Sequence, residues 1–123
     1  MKKFLVILLL VIFTLPIYAT NWKEIYPKIY IDYDSWDYSN GLTTVWVKSL
    51  NPGNWDLMDN KKVWYSLDRI QFDCTQKFYS FKFISSYDLK GSVIDSVTVQ
   101  YPKWNIIPPD TVIDMKYRAV CGR

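Results

Sequence analysis

The sequence predicts an α+β domain that is mostly β: an antiparallel sheet of about five or six strands, with a C-terminal helix clipped to one face by a disulfide. Three observations predict it. Short runs rich in Val, Ile, Tyr, Phe, Trp and Thr alternate with turn-forming residues through most of the chain. The segment before Gly122 changes to a helical pattern. Two cysteines are present, Cys74 on a strand expected to be central and Cys121 at the end of that helix.

The N-terminus sets the compartment. Lys2 and Lys3 precede an apolar run from Phe4 to Leu15, Pro16 breaks any helix, and Ile17-Tyr18-Ala19 offers a small residue at a cleavage point. This is the layout of a secretory signal peptide over residues 1–19, followed by one domain over residues 20–123. The apolar run is shorter than the roughly 20 residues needed to cross a bilayer, so an uncleaved anchor is the weaker alternative and no stable membrane insertion is expected after cleavage. No cysteine lies near the junction to carry a lipid. The expected location is therefore the periplasm or cell surface of a Gram-negative-type bacterium, or the medium, without a lipid anchor.

Removing Lys2 and Lys3 from the 15 basic residues leaves 13 against 12 acidic ones. A balance so close to neutral argues against nucleic acid or an anionic membrane as partner. In an exported protein an isolated cysteine pair most often forms a disulfide, and closing this loop would stabilise the fold by about 4 kcal/mol. Free thiols are the competing reading.

The first strand is expected over Lys28–Tyr33, where Ile29, Ile31 and Tyr33 alternate with Tyr30 and Asp32. A polar stretch from Asp34 leads to a Ser39-Asn40-Gly41 turn, because Asn and Gly adopt positive φ cheaply. Leu42–Leu50 is the second strand, Asn51-Pro52-Gly53-Asn54 ends it, and Trp55–Asn60 reads as a loop. Lys62–Cys74 changes parity midway, so an extra residue near Asp68–Arg69 predicts a bulge. Gln76–Ser85 follows, then a turn at Asp88-Leu89-Lys90-Gly91, then Ser92–Tyr101. Proline before Val112, an acid in the first turn and basic residues later favour a helix over Val112–Cys121, with Val112, Met115 and Ala119 on its inner face. A short coil tied down by the disulfide is the alternative.

Taken in order, Trp22-Lys23-Glu24-Ile25, Tyr30-Ile31-Asp32, Val45-Trp46-Val47-Lys48, Phe72-Asp73-Cys74, Trp104 with Ile107-Pro108-Pro109, and Val120-Cys121 resemble the bacterial surface-adhesin protein E-like family. The resemblance spans about Trp22 to Cys121. It implies a curved antiparallel sheet with a C-terminal helix tethered by a disulfide. It also implies a surface protein that adheres to host extracellular-matrix and serum proteins, such as vitronectin, laminin and plasminogen. The best-known members are lipoproteins, whereas this chain lacks the cysteine after its signal.

Little in the sequence points to catalysis. There is no histidine to activate a nucleophile, no Ser-x-x-Lys or Gly-x-Ser-x-Gly, and no glycine-rich phosphate loop. Asp32, Asp34 and Asp37 lack the glycine and distal glutamate of a calcium loop, so no metal and no cofactor are expected. A two-carboxylate hydrolase has no pair of acids set apart by its surroundings.

The aromatic content is the feature that asks for an explanation: 6 Trp, 10 Tyr and 6 Phe make up 18% of the chain. In Phe78–Phe83, in Trp64-Tyr65 and around Trp46, rings or bulky groups occupy both parities, so both faces of the sheet carry them. Either loops and the N-terminal segment cover the second face, or an aromatic patch there recognises a protein, peptide or glycan. Trp36, Trp55 and Trp104, in expected loops or strand ends, are candidate contacts. Lys77 and Lys82, with Lys61, Lys62 and Arg69, could steer an acidic partner or simply guard strand edges. The expected function is a non-enzymatic, adhesin-like module recognising an extracellular-matrix or envelope protein. The alternative is a periplasmic structural or assembly factor that binds an envelope protein through a sheet edge. Homodimerisation is left open.

Overall fold

The computed structural model describes residues 21–50, 57–58 and 61–122. The expected signal segment over residues 1–19, the Asn51-Pro52-Gly53-Asn54 strand end and Trp55 lie outside the described residues. Strands β1 (Trp22–Tyr26), β2 (Ile29–Ser39), β3 (Leu42–Leu50), β6 (Tyr65–Asp73), β7 (Phe78–Tyr87) and β8 (Val93–Thr98) form an open antiparallel sheet in the order β1-β2-β3-β6-β7-β8. β9 (Asn105–Ile106) joins as a seventh strand by pairing with the start of β7, and β4 (Leu57–Met58) pairs with β5 (Lys61–Lys62) as a separate ribbon. The helix α1 covers Val112–Cys121. The mostly-β architecture with one C-terminal helix and a disulfide is the one expected.

Turn chemistry sets the register. Ser39 pairs with Leu42 around Asn40 and Gly41, whose φ values of 55° and 77° give the two-residue hairpin that Asn-Gly favours. β3 and β6 then pair without interruption from Leu42↔Asp73 to Leu50↔Tyr65. The anticipated parity break does fall near Asp68–Arg69, but the extra residue is on the partner strand: Arg69 faces Phe83 while Ile70 faces Phe81, so Lys82 is the bulged residue of β7. β6 stays regular, and its parity change places Asp68 and Ser66 in line with Ile70 and Phe72.

Two further expectations change. The polar stretch after Tyr33 is part of β2, which bulges between Asp32 and Asp37. Ser35 holds that bulge by donating to the Asp32 carbonyl at 2.8 Å and accepting from the Trp46 N–H at 3.1 Å. β1 is an additional edge strand, turned into β2 at Pro27 and Lys28, with Lys28 at φ 71°.

The core lies between the sheet and α1. Ile31, Val45, Val47, Ile70 and Phe72 are fully buried there, with Ile29, Ile107, Tyr117 and Val120 completing the cluster. The helix has the expected bounds but a different inner face. Val112 and Met115 are 49% and 39% exposed, whereas Ala119 packs on the cluster as expected, and Ile113, Tyr117, Val120 and Cys121 make up the rest of the inner face. Spacing of three to four residues puts that second set on one stripe. The Cys74–Cys121 disulfide sets the choice of stripe by tying the helix end to the end of β6, with Cα atoms 5.5 Å apart. The Tyr117 hydroxyl donates to the Cys74 carbonyl at 3.0 Å beside it.

The helix start is capped in both directions. Thr111 accepts from the Asp114 N–H at 3.3 Å, and Asp114 reaches back to accept from the Asp110 N–H at 3.0 Å. Gly122 ends the helix at φ 70°, its N–H bonded to the Arg118 carbonyl.

Candidate binding surface

With α1 on one side, strand alternation sends the remaining residues of each strand to the other side. Across the sheet, pairing aligns Trp22, Asp32, Trp46, Arg69 and Phe83 in one row. The next row holds Glu24, Tyr30, Lys48, Leu67 and Ser85, and a third holds Leu50, Tyr65 and Tyr87. Among the described residues no helix covers this face; rings and two cations dominate it beside Asp32 and Glu24, and its rings are half-buried rather than sealed.

The rings hold each other. Tyr65 and Tyr87 stack with centroids 4.6 Å apart, and Trp46 meets the edge of Phe83 at 5.6 Å. The cations lie on ring faces. The Lys48 ammonium is 4.8 Å from the Tyr65 centroid and 5.9 Å from that of Trp22, and the Arg69 guanidinium is 5.4 Å from Trp46. Among the described residues neither cation has a carboxylate within ion-pair distance. Asp32, in the same row as Arg69, spends its Oδ1 on the N–H groups of Asn21 and Asp34. Glu24 sits at the β1 edge, where its hydrogen bond to the Tyr30 hydroxyl raises the phenol pKa. Trp22, Tyr30, Lys48 and Leu50 line an open hollow of about 230 Å3.

The residues singled out from sequence lie elsewhere, on separate elements. Trp36 is in the β2 bulge, stacked on Tyr33 at 5.5 Å and packed against the core. Lys77, at φ 60° in the β6–β7 turn, ion-pairs with Asp114 at 3.6 Å and lies over Tyr117 at 5.7 Å, which ties the turn to the helix. Lys82 is the β7 bulge residue, and its carbonyl accepts from the Val99 N–H. Trp104 is 45% exposed just before β9, next to the 73% exposed Ile106 beyond Asn105. The structure thus brings Trp22, Tyr30, Trp46, Lys48, Tyr65 and Arg69 into one surface that the sequence reading did not single out as a set. The signal was the double-parity aromatics around Trp46 and Tyr65. What was missing was the face each parity would occupy.

Beneath α1 lies a different electrostatic feature. Asp68 shares the helix-covered side with Lys116, which is buried. Burial pushes the Asp68 carboxyl up to about 6 against the pull of Lys116 and a Ser85 backbone hydrogen bond, and burial lowers the Lys116 ammonium. Asp68 Oδ1 is sealed from water with no hydrogen-bond partner. Asp114 behaves oppositely: the Asp110 N–H first, then Arg118 at 3.1 Å and Lys77, hold its carboxyl below the ordinary range despite its burial.

Three solved structures share this architecture. Protein E of Haemophilus influenzae in its second crystal form superposes with a TM-score of 0.63 at 9% identity, covering 86% of this chain and 91% of that one. Another structure of the same protein gives 0.59 at 12%, covering 87% and 91%. Protein E from non-typeable Haemophilus influenzae gives 0.58 at 12%, covering 88% and 80%. At these identities the likeness is one of fold. No curated protein matches the sequence significantly. Among the described residues no helix is long and apolar enough to cross a membrane. The sequence profile described as Surface-adhesin protein E matches residues 22–122, and the chain belongs to that family.

Proposed function

We propose that the exported chain is a non-catalytic adhesin module that meets a host matrix or serum protein through its helix-free face. One observation carries this reading: Lys48 and Arg69 sit on half-exposed rings with no carboxylate partner among the described residues, leaving cations and aromatic surface open together. Rings and Arg dominate binding energy at protein interfaces because they combine large buried area with few rotatable bonds. The neighbouring cations favour an acidic patch on the partner and speed its approach. Of the sequence candidates, Trp104 is the one whose exposure suits an outlying contact, and Lys82 lies on the same strand as Phe83. Trp36 and Lys77 are engaged in holding the fold.

The test is adhesion of the purified mature chain to a panel of matrix and serum proteins. Arg69→Ala and Trp46→Phe should each weaken the best binder by about 10-fold, a loss of about 1.4 kcal/mol. Met115→Ala, on the outward side of α1, should leave it unchanged. No binding across the panel, or binding indifferent to both face variants, would overturn the proposal. Labelling in intact cells should find the chain at the surface, and full protection from external protease would argue for a periplasmic partner instead.

A further inference from the structure

We infer that the hollow between Trp22, Tyr30, Lys48 and Leu50 is a subsite for a single acidic sugar, a pyranose ring bearing a carboxylate. The inference rests on the adhesin reading of this face and names one chemical group that the face selects. Size points to a small occupant. At about 230 Å3 the hollow is below the roughly 300–1,000 Å3 of pockets that enclose drug-sized ligands.

The lining divides the work as such a ring requires. Trp22 and Leu50 supply apolar surface for the C–H face of the sugar. The Lys48 ammonium supplies the charge, and it is preplaced between two rings, 5.9 Å from Trp22 and 4.8 Å from Tyr65, so little freedom remains to be lost on binding. The Tyr30 hydroxyl donates to the neighbouring Glu24 carboxylate, and the pair presents acceptor oxygens to the ring hydroxyls.

Glu24 also separates an acidic sugar from an acidic peptide. A rim carboxylate accepts hydrogen bonds from hydroxyls, but it repels a run of Asp and Glu side chains. A lone cation would suit either ligand. A cation with a carboxylate acceptor two strands away in the same row suits the ligand that carries one charge and several hydroxyls.

The experiment uses two probes that differ at one carbon, methyl glucuronide and methyl glucoside, with acetate as a carboxylate lacking the ring. Binding is followed by the indole N–H signal of Trp22 in nitrogen-labelled mature protein. The glucuronide should bind at least about 10-fold more tightly than either other probe. Lys48→Gln should abolish the preference so that both glycosides bind alike, and Tyr30→Phe should weaken both. Because Trp22→Ala risks unpairing β1, the conservative Lys48 and Tyr30 variants carry the test, with Lys90→Gln as a charge control that should change nothing. Equal binding of glucuronide and glucoside by the unaltered chain, or of glucuronide and acetate, would overturn the inference. Its failure is distinguishable from failure of the adhesin reading. Adhesion to a matrix protein without any glucuronide preference removes the sugar subsite and keeps the adhesin. A Lys48-dependent glucuronide preference without adhesion to any host protein keeps the subsite and removes the adhesin.

Discussion

On the side under α1 the sheet presents Ile31, Val45, Val47, Ile70 and Phe72, all fully buried, whereas the same strands present Trp46, Lys48, Tyr65, Arg69 and Phe83 to the other side, each half-buried. The two faces are one residue apart along every strand. On the covered side, branched aliphatic groups interdigitate with a helix and water is excluded. On the open side no second layer arrives among the described residues, and the rings shelter their flanks against each other and against cation stems while leaving part of their area wet. High aromatic content therefore does not mean a larger core here. It means that one face is stabilised by packing and the other by contacts within a single layer.

The largest expected effect tests that contrast directly. Phe72→Ala should destabilise the fold by about 3–5 kcal/mol, the usual cost of emptying a sealed aromatic site. Phe83→Ala, on the open side, should cost less than about 2 kcal/mol because part of the ring is already hydrated. Urea unfolding of both variants measures the difference. Equal costs would mean that the open face is packed as a core and that the contrast drawn from exposure is false.

The disulfide comes next. It closes a separation of 47 residues, for which loop-closure entropy gives about 4 kcal/mol. It is also the covalent part of a dock that includes the Tyr117–Cys74 hydrogen bond and the Lys77–Asp114 ion pair. Reduction should lower the melting temperature by more than about 10 °C for a domain of this size. The exposed stripe of α1 should lose amide protection before the open face loses its ring signals. Identical melting in oxidising and reducing buffer would remove the disulfide as the clip of the covered face.

Sequence patterning made the covered side legible and left the open side unread. Ile29, Ile31, Val45, Val47, Ile70 and Phe72 alternate at period two, and Asn40-Gly41 announces its own turn, so the first part of β2, β3, β6 and the β2–β3 turn followed. β1 escaped because Pro27-Lys28 turns the chain without the glycine or asparagine that usually marks positive φ. The β2 extension escaped because Asp34, Ser35 and Asp37 have low strand propensity, and it is the Ser35 bridge to Trp46 that keeps them in the sheet. The bulge was located but assigned to the wrong strand, since a parity break marks where two strands slip and not which of them carries the extra residue. The helix stripe was misjudged because Tyr117 and Lys116 are amphipathic: their polar tips hid their role as buried residues. The binding surface depends on which parity α1 covers, and that is a tertiary fact.

Within the covered side, Asp68 and Lys116 are charged groups in largely apolar surroundings, and they predict a pH response. A carboxyl raised from 3.8 to about 6 binds its proton more tightly in the folded chain than in the unfolded one. Its stabilising contribution is therefore complete below pH 3.8 and is lost as pH rises through about 6. Asp114, held below the ordinary range, contributes in the opposite sense, with stability present above that range and lost as pH falls through its lowered value. Asp68→Asn should remove a swing of at most about 3 kcal/mol between those two Asp68 pH values, flattening stability there. Lys116→Met should push the Asp68 midpoint higher still, because the Lys116 charge that favours its charged form is gone. Denaturation midpoints measured across this pH range would contradict the assignment if Asp68→Asn left their slope unchanged.

The smallest effect probes the open side alone. Arg69 lies over Trp46, and Trp46 meets the edge of Phe83, so three side chains from three neighbouring strands share one contact set. If that face is held by contacts within its own layer, these pairs must be coupled. A double-mutant cycle with Trp46→Leu and Phe83→Leu should return about 0.5–1.5 kcal/mol of interaction energy, and one with Trp46→Leu and Arg69→Met about 0.5–1 kcal/mol. The cation cycle should change little with salt, because the ring attracts the guanidinium through its quadrupole at short range and no full counter-charge is involved. Additive single-variant costs would show that the rings are merely adjacent. The open face would then owe its order to the packed side beneath it, and its residues would be free to move independently when a partner arrives.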